Sequence, residues 1–87
     1  MKINKSLDIS ESINNVITYL QHNDDSESDL QDWLDIQSSY NQNPKLAKSL
    51  YLNMDTASRE YISLKDIVTD ENDRINASMF FGYQLLN

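Results

Sequence analysis

Apolar positions along this chain recur at intervals of three and four residues, which is the period of an α-helix. One Gly and one Pro in 87 residues leave few positions for the tight turns that a β-sheet requires. The pattern therefore predicts an all-α protein, a small compact bundle of four to five short helices forming a single domain over residues 1–87. Residues 1–6 are the part of this domain that can remain disordered. The predicted helices span residues 9–22, 28–41, 44–54, 55–68 and 72–86.

The second and third helices have the clearest start signals. Ser28 with Gln31 three residues later fits a capping box, which satisfies backbone N–H groups at a helix start. Asn43 and Pro44 predict the next boundary, with Asn43 as N-cap and Pro44 at the first helical position.

Residues 44–68 allow two interpretations. Apolar residues here alternate spacings of three and four without a break, at Ala47, Leu50, Met54, Ala57, Tyr61, Leu64 and Val68. The segment is either one long helix with a heptad stripe or two short helices in nearly the same register, the second capped by Asp55 or Thr56. We favour the break, because a globular helix averages about 11–12 residues.

The charge of the protein is concentrated in one segment. The formal net charge is −7, and residues 23–42 contribute −6 of it, against 0 for 1–22, +1 for 43–68 and −2 for 69–87. Direct binding to nucleic acid is not expected, because phosphates are bound by Lys and Arg. A basic protein is the expected partner.

The second helix carries the candidate binding residues. Asp29, Asp32 and Asp35 follow one another three residues apart, and such like-charge pairs cost roughly 0.2–0.5 kcal/mol each. On a helical wheel an apolar and aromatic edge runs beside these acids. The predicted partner-binding residues are Asp25, Asp29, Asp32, Trp33, Asp35, Ile36 and Tyr40. The alternative is that Trp33 and Tyr40 belong to the core and the acids serve only solubility.

The C-terminal helix is apolar on two sides. Ile75, Met79, Tyr83 and Leu86 share one face, whereas Phe81 and Leu85 point to nearly the opposite side. A helix of this kind is buried all round, either inside its own bundle or against another chain. Phe81 and Leu85 are therefore candidate contacts of a homodimer through this helix, and the internal alternative stays open.

The sequence offers little for catalysis or for metal binding. There is no Cys, one His and no Gly-rich loop, so we expect no catalytic residues, no cofactor and no enzymatic activity. Residues 24–35 superficially follow the ligand order of an EF-hand, but Asp29 stands where the sharp turn needs Gly, so no metal site is expected. No apolar run approaches the roughly 18–20 residues that span a bilayer. We expect no membrane association and a cytoplasmic location.

Two short motifs resemble those of the needle subunits of type III secretion. These subunits look like two helices joined by an Asn/Asp-Pro loop with a Lys-Asp-apolar element near the end. Asn43-Pro44-Lys45-Leu46-Ala47 and Lys65-Asp66-Ile67 match these elements, although this chain continues well beyond Lys65. The resemblance implies a structural subunit.

Two functions follow as hypotheses. The first is a non-enzymatic, acidic protein-binding module, an inhibitor or immunity-type protein of a phage or other mobile element. Such a module would occupy a basic surface of its partner, such as a nucleic-acid-binding surface, by charge mimicry. The second is a structural subunit or chaperone of a self-assembling helical complex such as a secretion apparatus, assembled through the heptad stripe and the C-terminal helix.

Overall fold

The protein is all-α, as the periodicity predicts. The structure is a computed structural model that describes residues 8–23 and 27–83. These residues form a small bundle of five α-helices and a 3₁₀ turn, without a β-strand. The helices are α1 (Ser10–Gln21), α2 (Glu27–Gln42), α3 (Pro44–Asn53), α4 (Thr56–Glu60) and α5 (Glu71–Phe81), and the 3₁₀ turn is Tyr61–Ser63. The predicted disorder of residues 1–6 lies outside the described residues.

The helices enclose one hydrophobic core. Helix α2 packs against both α1 and α3, and α5 packs against α1, α3 and the 3₁₀ turn. The predicted apolar stripe of α1 is confirmed, since Ile9, Ile13, Val16 and Leu20 are all buried. The other buried apolar side chains are Ile17, Trp33, Ile36, Ala47, Tyr51, Ile62, Ile67, Val68, Ala77 and Phe81. None of the described helices is both long enough and apolar enough to cross a bilayer.

Trp33 connects three of the helices to α2. Its side chain is fully buried, and its Nε1 donates a hydrogen bond of 3.1 Å to the backbone carbonyl of Ser58 in α4. Its ring also meets the rings of Tyr51 in α3 and Phe81 in α5 edge-on, each at 6.2 Å between centroids. A buried indole N–H needs a partner of this kind, so the position of α4 is linked to that of α2.

The helix starts agree with the sequence to within one residue. Helix α2 begins at Glu27, so Ser28 lies inside the first turn and is not its N-cap. Asn43 caps α3 as predicted, since its side chain accepts a hydrogen bond from the N–H of Lys45. Pro44 occupies the first helical position.

Residues 44–68 do not form one long helix. Helix α3 ends at Asn53, Met54 is extended, and α4 starts after Asp55, so the predicted break between two short helices is present. The predicted second helix over 55–68 is nevertheless too long. Helical structure ends with the 3₁₀ turn because Leu64 is extended, and the chain then turns so that Ile67 and Val68 enter the core.

Helix α5 is shorter than predicted and ends at Phe81. Gly82 has a φ of 79° in the left-handed region, and the N–H groups of Gly82 and Tyr83 both donate to the carbonyl of Ser78. Glycine adopts this conformation at low cost and is the usual residue after a helix end. The predicted continuation to residue 86 therefore breaks at Gly82.

The pattern of α5 predicts burial on both of its apolar sides, but only the side that carries Phe81 enters the core. Ala77 and Phe81 are buried, whereas Ile75 and Met79 are 37% and 61% exposed. Phe81 stacks on Tyr51 with 4.1 Å between ring centroids. The assignment of Phe81 as a dimer contact is therefore corrected, because its side chain lies inside the monomer. Leu85, the other proposed contact, lies outside the described residues.

Arg74 fixes this orientation of α5 from the other end of the helix. Its side chain is nearly buried, and Nη1 donates to the carbonyls of Val68 at 2.7 Å and Thr69 at 3.2 Å. Hydrogen bonds to a charged donor are stronger than neutral ones, so Arg74 holds the loop before α5 against the helix.

Trp33→Phe should lower the free energy of unfolding by about 1–3 kcal/mol, because the Ser58 carbonyl loses its indole donor and the ring becomes smaller. Urea unfolding followed by circular dichroism measures this change. The matched control is Tyr19→Phe, since Tyr19 is 42% exposed. Equal stability of the two variants would show that the indole contact does not organise the bundle.

Candidate protein-binding groove beside the acidic helix

Three carboxylates define an acidic edge along α2. Asp29, Asp32 and Asp35 follow one another at helical spacing, and Asp32 and Asp35 are exposed. Asp29 is half-buried and accepts a hydrogen bond of 3.0 Å from the hydroxyl of Tyr61. Asp25, the remaining predicted acid of this surface, lies outside the described residues.

A groove lies between this acidic edge and α3. It has a volume of about 140 Å³ and is lined by Asp32, Asp35, Leu50, Asn53 and Met54. The lining residues show that α3 runs back along α2 after the tight link at Asn43. The carboxylates come from α2, whereas Leu50 comes from α3 and Met54 from the residue that follows α3, so the groove has a charged side and an apolar side.

The apolar side of the groove is held in place by the core. Leu50 and Met54 are half-buried and pack against the hydrophobic core. The hydroxyl of Ser58 donates to Sδ of Met54 at 3.7 Å. Ser58 also accepts the Trp33 hydrogen bond, so the same residue supports both the core and the groove.

The carboxylates at the groove repel one another. The pKa of Asp32 is raised above its ordinary value of 3.8, first by partial burial and then by the negative charges of Asp29, Asp35 and Asp55. No positive charge contributes to this shift, and no residue in the described ranges donates a hydrogen bond to the Asp32 carboxylate. Asp35 has one such donor, Nε2 of Gln31 at 3.0 Å. The groove is thus an electronegative site, and the part of the chain that the structure describes supplies no counter-ion for Asp32.

The structure separates the predicted acids from the predicted aromatic anchors. Trp33 and Ile36 are fully buried, so their assignment as partner contacts is corrected. Tyr40 is half-buried, its hydroxyl accepts the N–H of Ile9 at 3.1 Å, and its ring packs on Phe80. These three side chains make contacts between α2 and the rest of the bundle. They therefore face the core and not a partner.

Sequence reasoning missed the apolar side of the groove. The spacing of apolar residues assigns Leu50 and Met54 only to the stripe of residues 47–68. The signal that points to them is their place after the Asn43–Pro44 link, since a short link makes neighbouring helices antiparallel and brings α3 beside the acids of α2.

The structure describes few groups suited to proton transfer or metal binding. Burial raises the pKa of Tyr51 to about 12 and also raises that of Tyr83, so both phenols remain protonated at neutral pH. His22 is exposed at the end of α1, with Nδ1 at 2.8 Å from the carbonyl of Thr18. Within residues 8–23 and 27–83, no three His, Cys, Asp or Glu side chains lie close enough to hold a metal ion.

The fold and the groove thus define a small all-α protein with an acidic surface groove. Comparison with protein-family models, with curated proteins and with solved structures finds no match to this chain.

Asp32→Asn should raise the melting temperature at neutral pH and low salt by about 2–4 °C, because it removes two like-charge pairs on α2. Since the folded-state pKa of Asp32 is raised, its ionised form lowers stability at neutral pH. The folded protein regains this stability as the pH falls through that pKa.

The stabilisation should therefore disappear near pH 3, and it should also disappear at about 0.5 M salt, where charges are screened. Asp66→Asn is the control, because Asp66 is exposed and is not among the charges that act on Asp32. Thermal unfolding of both variants across pH measures the effect, and an Asp32→Asn variant no more stable than wild type at low salt would contradict it.

Proposed function

We propose that this protein is a non-enzymatic, acidic protein-binding module that occupies a basic surface of a partner protein. The observation that carries the proposal is the groove beside α2, where the negative charges of Asp29, Asp35 and Asp55 act on Asp32 and no cation of residues 8–23 or 27–83 offsets them. Each pair of like charges on the helix lowers the free energy of unfolding by a few tenths of a kcal/mol. A basic partner would convert this cost into favourable interactions on binding.

The arrangement of the groove supports a protein surface as the partner. Leu50 and Met54 offer apolar area beside the carboxylates, and a protein contact combines buried apolar area with a polar rim. The net charge of −7 gives long-range attraction to basic proteins and opposes direct contact with nucleic acid.

The proposal extends to the kind of partner. Proteins that bind nucleic acid expose clusters of Lys and Arg, and the row of carboxylates on α2 presents negative charge to such a cluster as a phosphate backbone does. An inhibitor or immunity protein of a mobile element, acting in the cytoplasm by charge mimicry, fits this surface. No described helix of the protein could cross a membrane.

The test is binding of a fluorescently labelled basic peptide of alternating Lys and Ser residues, measured by anisotropy at about 0.03 M and about 0.3 M salt. We expect the wild-type protein to bind at low salt and to weaken at least about tenfold at the higher salt. Changing Asp29, Asp32 and Asp35 together to Asn should weaken low-salt binding by at least about tenfold.

The matched control neutralises three exposed acids on other elements, namely Glu11→Gln in α1, Asp66→Asn in the loop before α5 and Glu71→Gln in α5. Both triple variants carry the same net charge, so a difference between them reports position and not overall charge. Equal loss of binding in the two variants, or no binding by wild type at low salt, would refute the proposal.

A second candidate function is a structural subunit or chaperone of a self-assembling complex. The heptad stripe does not support it, because α3 ends at Asn53 and the stripe residues Ala47 and Val68 lie in the core. The observation in its favour is the exposed pair Ile75 and Met79 on α5, which replaces Phe81 as the surface for a homodimer.

Light scattering on a size-exclusion column distinguishes the two functions. Under the proposed function we expect the mass of one chain, 10.1 kDa, at all concentrations and at both salt levels. A salt-resistant larger mass that falls to that of one chain in the Met79→Asp variant would instead establish self-assembly through α5. The Asp32→Asn variant is the control, since its substitution lies on α2.

A further inference from the structure

The groove between α2 and α3 has a composition that selects one kind of side chain. Asp32 and Asp35 border it on one side, Asn53 is the polar residue contributed by α3, and Leu50 and Met54 are the apolar ones. We propose that this groove is the seat for a single lysine side chain of the partner. This inference rests on the proposed function and specifies which residue of a basic surface makes the central contact.

The polar groups around the groove match an ammonium group in number. Lysine has three N–H donors and no acceptor. The side chains of Asp32, Asp35 and Asn53 belong to residues that line the groove from two helices, and each of them carries an acceptor oxygen. An ammonium group placed among them could donate to all three, and the two carboxylates would neutralise its charge.

The apolar side of the groove matches the rest of the lysine side chain. A lysine buries its four-carbon stem along apolar surface while its charged end stays among polar groups. Leu50 and Met54 offer such a surface beside the carboxylates, and both are anchored in the core. Methionine is well suited to this contact, because its flexible thioether adapts to an incoming chain.

Other cations fit the groove less well. The planar guanidinium of arginine matches the two oxygens of one carboxylate, whereas here the charge is divided between carboxylates one helical turn apart. A bare metal ion would leave Leu50 and Met54 without a role, and no group of three metal-binding side chains occurs in the described residues. A compact charge on an apolar stem uses every side chain that lines the groove.

The first test supplies the lysine within the protein itself. Asn53→Lys places a tethered ammonium group at the groove, where it competes with the partner. Leu52→Lys is the matched control, because Leu52 is the preceding residue, is 58% exposed, does not line the groove and gives the same net charge. With the Lys/Ser peptide as probe, Asn53→Lys should weaken binding at least about tenfold and Leu52→Lys no more than about twofold.

The second test examines the lysine stem by NMR of the methionine methyl groups. The Lys/Ser peptide should shift the methyl resonance of Met54, which lines the groove. It should leave the methyl resonance of Met79 unchanged, because Met79 lies on α5 and does not line the groove. A peptide with diaminopropionic acid in place of every lysine keeps the charges on a stem of one carbon. It should shift the Met54 methyl by less than half as much at the same occupancy.

The outcomes separate this inference from the proposed function. If wild type binds the peptide but both lysine variants lose affinity equally, or if the two peptides shift Met54 equally, the lysine seat is refuted and the acidic binding surface stands. If wild type does not bind the peptide at low salt, the proposed function fails, and the lysine seat fails with it.

Discussion

The hydrogen bond from the Trp33 indole to the Ser58 carbonyl is the contact on which the rest of this bundle depends. It joins α2 to α4, and the same indole ring meets Tyr51 of α3 and Phe81 of α5. Helix α2 completely buries only Trp33 and Ile36 among its sixteen residues. Because these two large side chains anchor it, together with the half-buried Leu30, Leu34 and Tyr40, the exposed side of α2 can carry charge at little cost to the core.

The position of the acidic groove follows from the contacts that Ser58 makes with Trp33 and Met54. Ser58 receives the indole hydrogen bond through its carbonyl and contacts Met54 through its hydroxyl. The core therefore positions the apolar side of the groove against the carboxylates of α2. Helix α2 keeps like charges beside one another although they reduce the stability of the protein. An arrangement that lowers stability in this way is typical of a functional surface.

Helix α5 shows how the surroundings of a helix select its buried face. The stacking of Phe81 on Tyr51 and the hydrogen bonds of Arg74 to the preceding loop hold the helix at its two ends. Gly82 then ends it in the left-handed conformation. Ile75 and Met79 remain outside as a consequence, although their spacing is that of a core stripe.

The sequence by itself determined the helical class, the stripe of α1, the Asn43–Pro44 boundary and the acids of the candidate site. These features are local, because helical period, caps and charge are properties of neighbouring residues. Only the tertiary structure decided that Trp33 and Ile36 face inwards and that Leu50 and Met54 complete the groove. Periodicity gives the angles between residues on one helix. When apolar residues occupy two sides, the partners across the core decide which side is buried, and those partners lie far away in the sequence.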